Sequence, residues 1–147
     1  MSFINDFAEI LDDLIAQRKM NAQDFAKDSR IQPSSVSEYL RALRIPTVAR
    51  LVQLADYFGC STDYLLGFEE QRNGDNYCTC PPFNKQLEFL KKHYKCTNSY
   101  IYKGCGIPKT RYYDWLKGEH VPSLENVIKL AQFFNCTIDF VIGRAKA

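Results

Sequence analysis

The sequence predicts an all-α protein made of two tandem five-helix domains. Three observations lead there. Residues 7–67 fall on residues 83–143 at a constant offset of 76 with no gap, and fourteen of the 61 pairs are identical. Within each copy apolar residues recur at helical spacing, and no segment alternates with period two. Residues suited to helix starts and stops occupy matching places in both copies. Only two copies of so long a period mark a domain duplication, not a solenoid. The expected boundaries are 1–67 for the first domain, 68–82 for a linker and 83–147 for the second domain.

In copy one, Phe7, Ile10, Leu11 and Leu14 lie at i, i+3, i+4 and i+7, with Asp6, Glu9, Asp12 and Asp13 on the other face. That spacing predicts an amphipathic helix over about 4–18. Asn21 caps a second helix burying Phe25 and Ala26. Pro33 suits the first position of a third, where its missing N–H has no helical partner to lose. Val36, Tyr39 and Leu40 form that helix's inward stripe. Pro46 interrupts, Thr47 caps a fourth helix carrying Leu51, Leu54, Ala55 and Phe58, and Ser61 caps a fifth that stops at Gly67. Copy two repeats the series. Phe83, Leu87 and Leu90 begin it, and Thr97, Ser123 and Thr137 are caps. Pro108 opens helix three, Tyr112 and Trp115 take its inward stripe, and Gly143 stops the last helix. Between the copies, Asn73-Gly74 and Pro81-Pro82 read as turn and linker.

The chain of 147 residues is 46% hydrophobic with a net charge of +2, so it is globular and the total charge argues nothing about nucleic acid. The distribution says more. Residues 1–70 carry seven Lys/Arg against eleven Asp/Glu, while residues 71–147 carry twelve against six. If one copy holds a polyanion more tightly, it is the second. The start of the chain has no basic and apolar leader pattern and no 18-residue apolar run occurs, so the expectation is a soluble cytoplasmic protein with reduced thiols and no membrane partner. Cys78-x-Cys80 has one intervening residue and no second pair, which is not zinc-ligand spacing. No metal and no cofactor is expected. No Ser/His/Asp, metal-ligand or phosphate-loop pattern is present, and two histidines offer little acid–base chemistry, so an enzyme is not the reading.

Two short helices joined by a tight turn, the second presenting polar residues outward, make a helix-turn-helix. Residues 21–29 with 33–42 and residues 97–105 with 109–117 have that form, with Ile31 and Ile107 as the apolar residue after each turn. On the runs Met20-Asn-Ala-Gln-Asp-Phe-Ala26, Ile31-Gln-Pro-Ser-Ser-Val-Ser-Glu-Tyr39 and Leu51 to Gly67, each copy resembles the lambda-repressor/Cro-like (XRE-type) helix-turn-helix family. In copy two the likeness is carried by Ile107 to Trp115, Leu116 to Ser123 and Leu130 to Gly143. Departures fall in different places in the two copies. The family's early helix-two Gln, which meets a phosphate, is Ala22 in copy one and Asn98 in copy two. Its turn glycine is Arg30 and then Gly106. Its alanine at the helix crossing is Ala26 and then Tyr102, which should push the two helices apart.

The resemblance implies a sequence-specific, repressor-like DNA-binding regulator whose third helices enter the major groove. Its candidate DNA-contacting residues in copy one are Gln32, Ser34, Ser35, Glu38, Arg41 and Arg44. In copy two they are Asn98, Lys109, Thr110, Arg111, Tyr113, Asp114, Lys117 and His120. Lys can donate to guanine and acids can accept from cytosine N4. Arg41, Arg44, Lys117 and His120 suit phosphate contacts. Double-stranded DNA is the expected partner, with a homodimer as a second one through the last helices (Tyr64, Leu65, Leu66; Phe140, Val141, Ile142). No small-molecule site is apparent in the sequence. The rival expectation is a protein-interaction module, antitoxin-like or anti-regulator, in which one or both copies no longer bind DNA.

Overall fold

The computed structural model describes residues 2–72 and 76–145. The expected Asn73-Gly74 turn lies outside them. The chain divides into two compact units, Met1–Asp75 and Asn76–Ala147. Unit 1 holds α1 (Ser2–Gln17), α2 (Ala22–Ser29), α3 (Pro33–Leu40), α4 (Val48–Phe58) and α5 (Thr62–Leu65). Unit 2 holds α6 (Phe83–Tyr94), α7 (Asn98–Cys105), α8 (Lys109–Lys117), α9 (Leu124–Phe134) and α10 (Ile138–Ile142). The described residues contain no strand.

Each cap residue anticipated from sequence closes its helix. Asn21 Oδ1 accepts from the Asp24 N–H at 2.8 Å, Thr47 Oγ1 from Arg50 at 3.1 Å and Ser61 Oγ from Tyr64 at 2.9 Å. In unit 2, Thr97, Ser123 and Thr137 accept from Tyr100, Asn126 and Phe140. Each satisfies one helix-end donor that has no partner inside the helix.

The backbone duplication is stricter than the sequence duplication. Left-handed residues fall at the same five places in both units: Lys19, Arg30, Ala42, Gly59 and Gly67, matched by Lys95, Gly106, Gly118, Asn135 and Gly143. At two of them only unit 2 carries the residue the geometry favours. Arg30 has φ 62° where Gly106 has 68°, and Ala42 has φ 55° where Gly118 has 80°. A side chain in this region meets its own carbonyl, which costs about 1 kcal/mol relative to Gly. The left-handed Ala42 also shortens α3, which ends at Leu40 rather than reaching residue 42.

Each core is formed by the apolar stripes. Phe7, Leu11, Leu14, Phe25, Leu51, Leu54 and Leu65 are fully enclosed in unit 1, and Leu87, Leu90, Ile101, Tyr112, Val127, Leu130 and Val141 in unit 2. α1 starts two residues earlier than anticipated, with Phe3 turned inward to meet the Phe68 ring edge-on at 6.3 Å. The contact between the second and fourth helices is solved differently in each copy. In unit 1 the Tyr57 hydroxyl donates to the Asp28 carboxylate. In unit 2 the matching residues are Gly104 and Phe133, and a Cβ on Gly104 would sit 2.2 Å from the Phe133 ring.

The ends of the segment expected as linker are tied to the units. The Ser61 N–H donates to the Arg72 carbonyl at 2.9 Å, and the Arg72 guanidinium donates to the Phe58 carbonyl at 2.6 Å. On the other side, the Cys78 N–H donates to the Arg144 carbonyl at 2.7 Å. Tyr77 covers the Arg144 guanidinium at 3.8 Å, while that group pairs with Asp139 at 3.0 Å. Cys78 and Cys80 are therefore part of a strap on unit 2, not a thiol pair in free chain.

Replacing Arg30 with Gly is expected to raise stability by about 1 kcal/mol, read as a higher urea midpoint. Gly104→Ala should act oppositely, losing about 1–3 kcal/mol as the Phe133 ring is displaced. An unchanged midpoint in the Gly104 variant would show that the contact is not tight.

Candidate nucleic-acid interface

The third helix of each unit has one face inside and one outside. On α3, Val36 and Tyr39 are buried, and Tyr39 is 3% exposed. On α8, Tyr112 and Trp115 are buried, and Trp115 is 1% exposed. At 100° per residue this leaves Ser34, Glu38 and Arg41 as the outward ridge of α3, and Thr110, Asp114 and Lys117 as that of α8. Ser35 and Ser37 flank the first ridge, Arg111 and Tyr113 the second. Gln32 stands exposed at the N-cap of α3, with no side-chain cap bond, and Lys109 is exposed at the start of α8.

The hydrogen bond that sets α8 on α7 runs from the Tyr112 hydroxyl to Asn98 Oδ1 at 2.9 Å. It occupies the oxygen of the one residue that could replace the family's phosphate-binding Gln and leaves the amide nitrogen to point elsewhere. Burial pushes the Tyr112 phenol well above its usual pKa, so it stays a neutral donor across the physiological range. Tyr102 does not stand alone at the helix crossing. Its ring lies 5.6 Å from that of Tyr112 and 6.3 Å from that of Tyr113. The three tyrosines form one aromatic wall across the turn, and Tyr113 is its half-exposed end. Burial likewise raises the Cys105 thiol to about 11, which makes it a poor nucleophile.

The cations are disposed unequally. Lys109, Arg111 and Lys117 are exposed and enter no ion pair among the described residues. In unit 1 Arg41 is exposed, but Arg44 folds back so that its Nη1 lies 3.6 Å from Glu38 Oε1. The same arrangement recurs in unit 2, where His120 Nδ1 lies 3.7 Å from Asp114 Oδ2. Glu38 matches Asp114 and Arg44 matches His120 at the 76-residue offset, so this pairing is duplicated too. Each third helix thus has its acid held against the turn that follows. The sequence contained the signal, since both pairs are six residues apart in register, but the fold-back of the turn was needed to read it. Glu119 was not anticipated at all. A carboxylate oxygen of Glu119 lies within 4.8 Å of both the Asp114 and His120 atoms, whereas the matching residue in unit 1 is the exposed Leu43.

The last helices are spent internally. Leu65, Leu66, Phe140, Val141 and Ile142 are buried, and only Tyr64 of the expected pairing surface is half-exposed. Phe140 packs its ring against Phe89, His93 and Tyr94 of α6. A helix of four or five residues needs its apolar sides to hold it in place.

Removing the Tyr112 hydroxyl (Tyr112→Phe) should cost about 1 kcal/mol by stranding Asn98 Oδ1, measured by chemical denaturation.

A helix-turn-helix family model matches residues 11–65 and 88–141, one stretch in each unit and together more than half of the chain. No curated protein and no solved structure matches.

Proposed function

The chain belongs to the XRE/lambda-repressor-like helix-turn-helix family, and from that premise we propose that it is a sequence-specific, repressor-like transcriptional regulator whose second unit is the principal reader of double-stranded DNA. The family makes it a DNA-binding helix-turn-helix protein in general, and that family is not one of enzymes. Among the described residues no helix is long and apolar enough to cross a membrane. The cytoplasm is the compartment this reading implies.

The observation that carries the assignment to unit 2 is the set of three unpaired cations on α8, Lys109, Arg111 and Lys117, beside the outward Thr110 and Asp114. Phosphate contacts from such cations supply most of the affinity of a DNA-binding protein and set its register. Thr110, Lys109 and Asp114 then carry base discrimination, by donation to guanine or acceptance from cytosine. Tyr113 and Asn98 flank the backbone. In unit 1 the corresponding contacts come from Gln32, Ser34, Ser35, Glu38 and Arg41, with Glu38 held by Arg44 as Asp114 is by His120. The surplus of acids over bases in residues 1–70 favours a second reading for that unit alone, as a protein-interaction module of antitoxin-like or anti-regulator kind. A homodimer of the chain is compatible with either arrangement.

The test is fluorescence anisotropy on a labelled duplex recovered by selection from random DNA. Replacing Lys109 and Arg111 together with Ala should weaken binding about tenfold or more and flatten the slope of log K against log salt by about 2. The same change at Arg41 and Arg44 should do less. Equal losses from the two pairs would remove the asymmetry, and no retention of any duplex at low salt would leave the interaction module as the surviving reading.

A further inference from the structure

The corner where the third helix meets the following turn differs in one property between the units. In unit 1 it holds one acid, Glu38, and a cation that never titrates, Arg44, next to the uncharged Leu43. In unit 2 it holds two acids, Asp114 and Glu119, and an imidazole, His120. The corner in unit 1 is therefore neutral at every physiological pH. The corner in unit 2 carries two negative charges when His120 is neutral and one when it is charged.

The His120 side chain is 71% exposed and that of Asp114 is 37% exposed, so both can meet a ligand lying along α8. α8 faces His120 with Asp114, and its own turn faces it with Glu119. α6, packed behind the turn, offers the uncharged Asn84 beside Gly118. Lys117, the last residue of α8, is the nearest cation in sequence. Histidine is the side chain whose ordinary titration spans about pH 5 to 8.

We propose that His120 is a positioning residue that makes the hold of unit 2 on the DNA backbone depend on pH. The proposal rests on the DNA-binding reading of unit 2. Charged, the imidazole draws the Asp114 carboxylate toward the turn and offsets one of two acids at a corner close to the phosphates. Neutral, it leaves both carboxylates to repel them. Complex formation therefore takes up a proton at His120. Affinity is highest where the imidazole is charged and falls as pH rises through its range. Unit 1, with Arg44 in the same place, has no such dependence.

The experiment is anisotropy of a labelled random-sequence duplex pool with the full chain, at matched low ionic strength, from about pH 6 to about pH 8. A chelator is present so that adventitious divalent ions do not stand in for the proton. The expected result is affinity about threefold higher at the acid end, the scale of one exposed charge interaction. His120→Arg should keep the acid-end affinity at every pH and abolish the slope. His120→Gln should show the alkaline-end affinity throughout. His93→Gln, which alters the chain's other histidine, should leave the slope unchanged. A slope that survives in His120→Arg, or that vanishes in His93→Gln, overturns the proposal while leaving DNA binding in place. If the unaltered chain retains no duplex at any pH, the DNA-binding reading fails and this inference fails with it.

Discussion

The structure depends on a pair of aromatic side chains going inward. Tyr39 in unit 1 and Trp115 in unit 2 occupy the same register position and are almost wholly enclosed. Burial of a ring of this size is worth several kcal/mol. In a domain of about 70 residues that is a large share of the net stability. Because they point to the core, the residues a half-turn away cannot. The outward ridge of each third helix is thus a consequence of packing rather than a separate feature. Tyr112 strengthens the effect in unit 2. It fills the space given to Val36 in unit 1, and its hydroxyl then has to find a partner, which is Asn98.

The two copies keep one backbone with different chemistry. Where geometry is demanding, at the left-handed helix ends, the positions coincide throughout, yet the residues differ at three of the five. Arg30 and Ala42 accept strain that Gly106 and Gly118 avoid. Where two elements touch, the solutions are paired. Asp28 with Tyr57 is a polar contact, and Gly104 with Phe133 is an apolar one at closer approach. Exchanging one member of either pair for its counterpart would leave a collision or an unpaired polar atom. The copies have therefore diverged as sets of mutually fitted residues. This is why overall identity between them is low while the fold is the same.

What could be read from sequence was local. Helix spans, cap residues, buried stripes and the turn between the second and third helices all follow from chemistry within a few residues. Six caps were identified from residue type alone, because a hydroxyl or amide two to three residues before an apolar repeat has few other uses. The early start of α1 was not legible, since it depends on Phe3 meeting Phe68 across the domain. The acid–cation corners were not legible either. Glu38 and Asp114 read as base contacts and Arg44 and His120 as phosphate contacts, and their pairing with each other emerged only once the turn brought them together. Asn98 was legible as the residue following the Thr97 cap, but its bond to Tyr112 needed a tertiary contact to be seen.

The strap at Tyr77–Cys80 bears on how unit 2 can be isolated. The internal repeat begins at Phe83, and a fragment cut there would preserve every helix. It would also remove the aromatic ring lying over Arg144, a guanidinium 1% exposed and bonded to the equally enclosed Asp139. A charge that had been roofed would then face solvent at the foot of α10. The smallest piece of the chain able to stand for this half of the molecule accordingly starts at Asn76. The border that matters for folding is not the border that duplication left in the sequence.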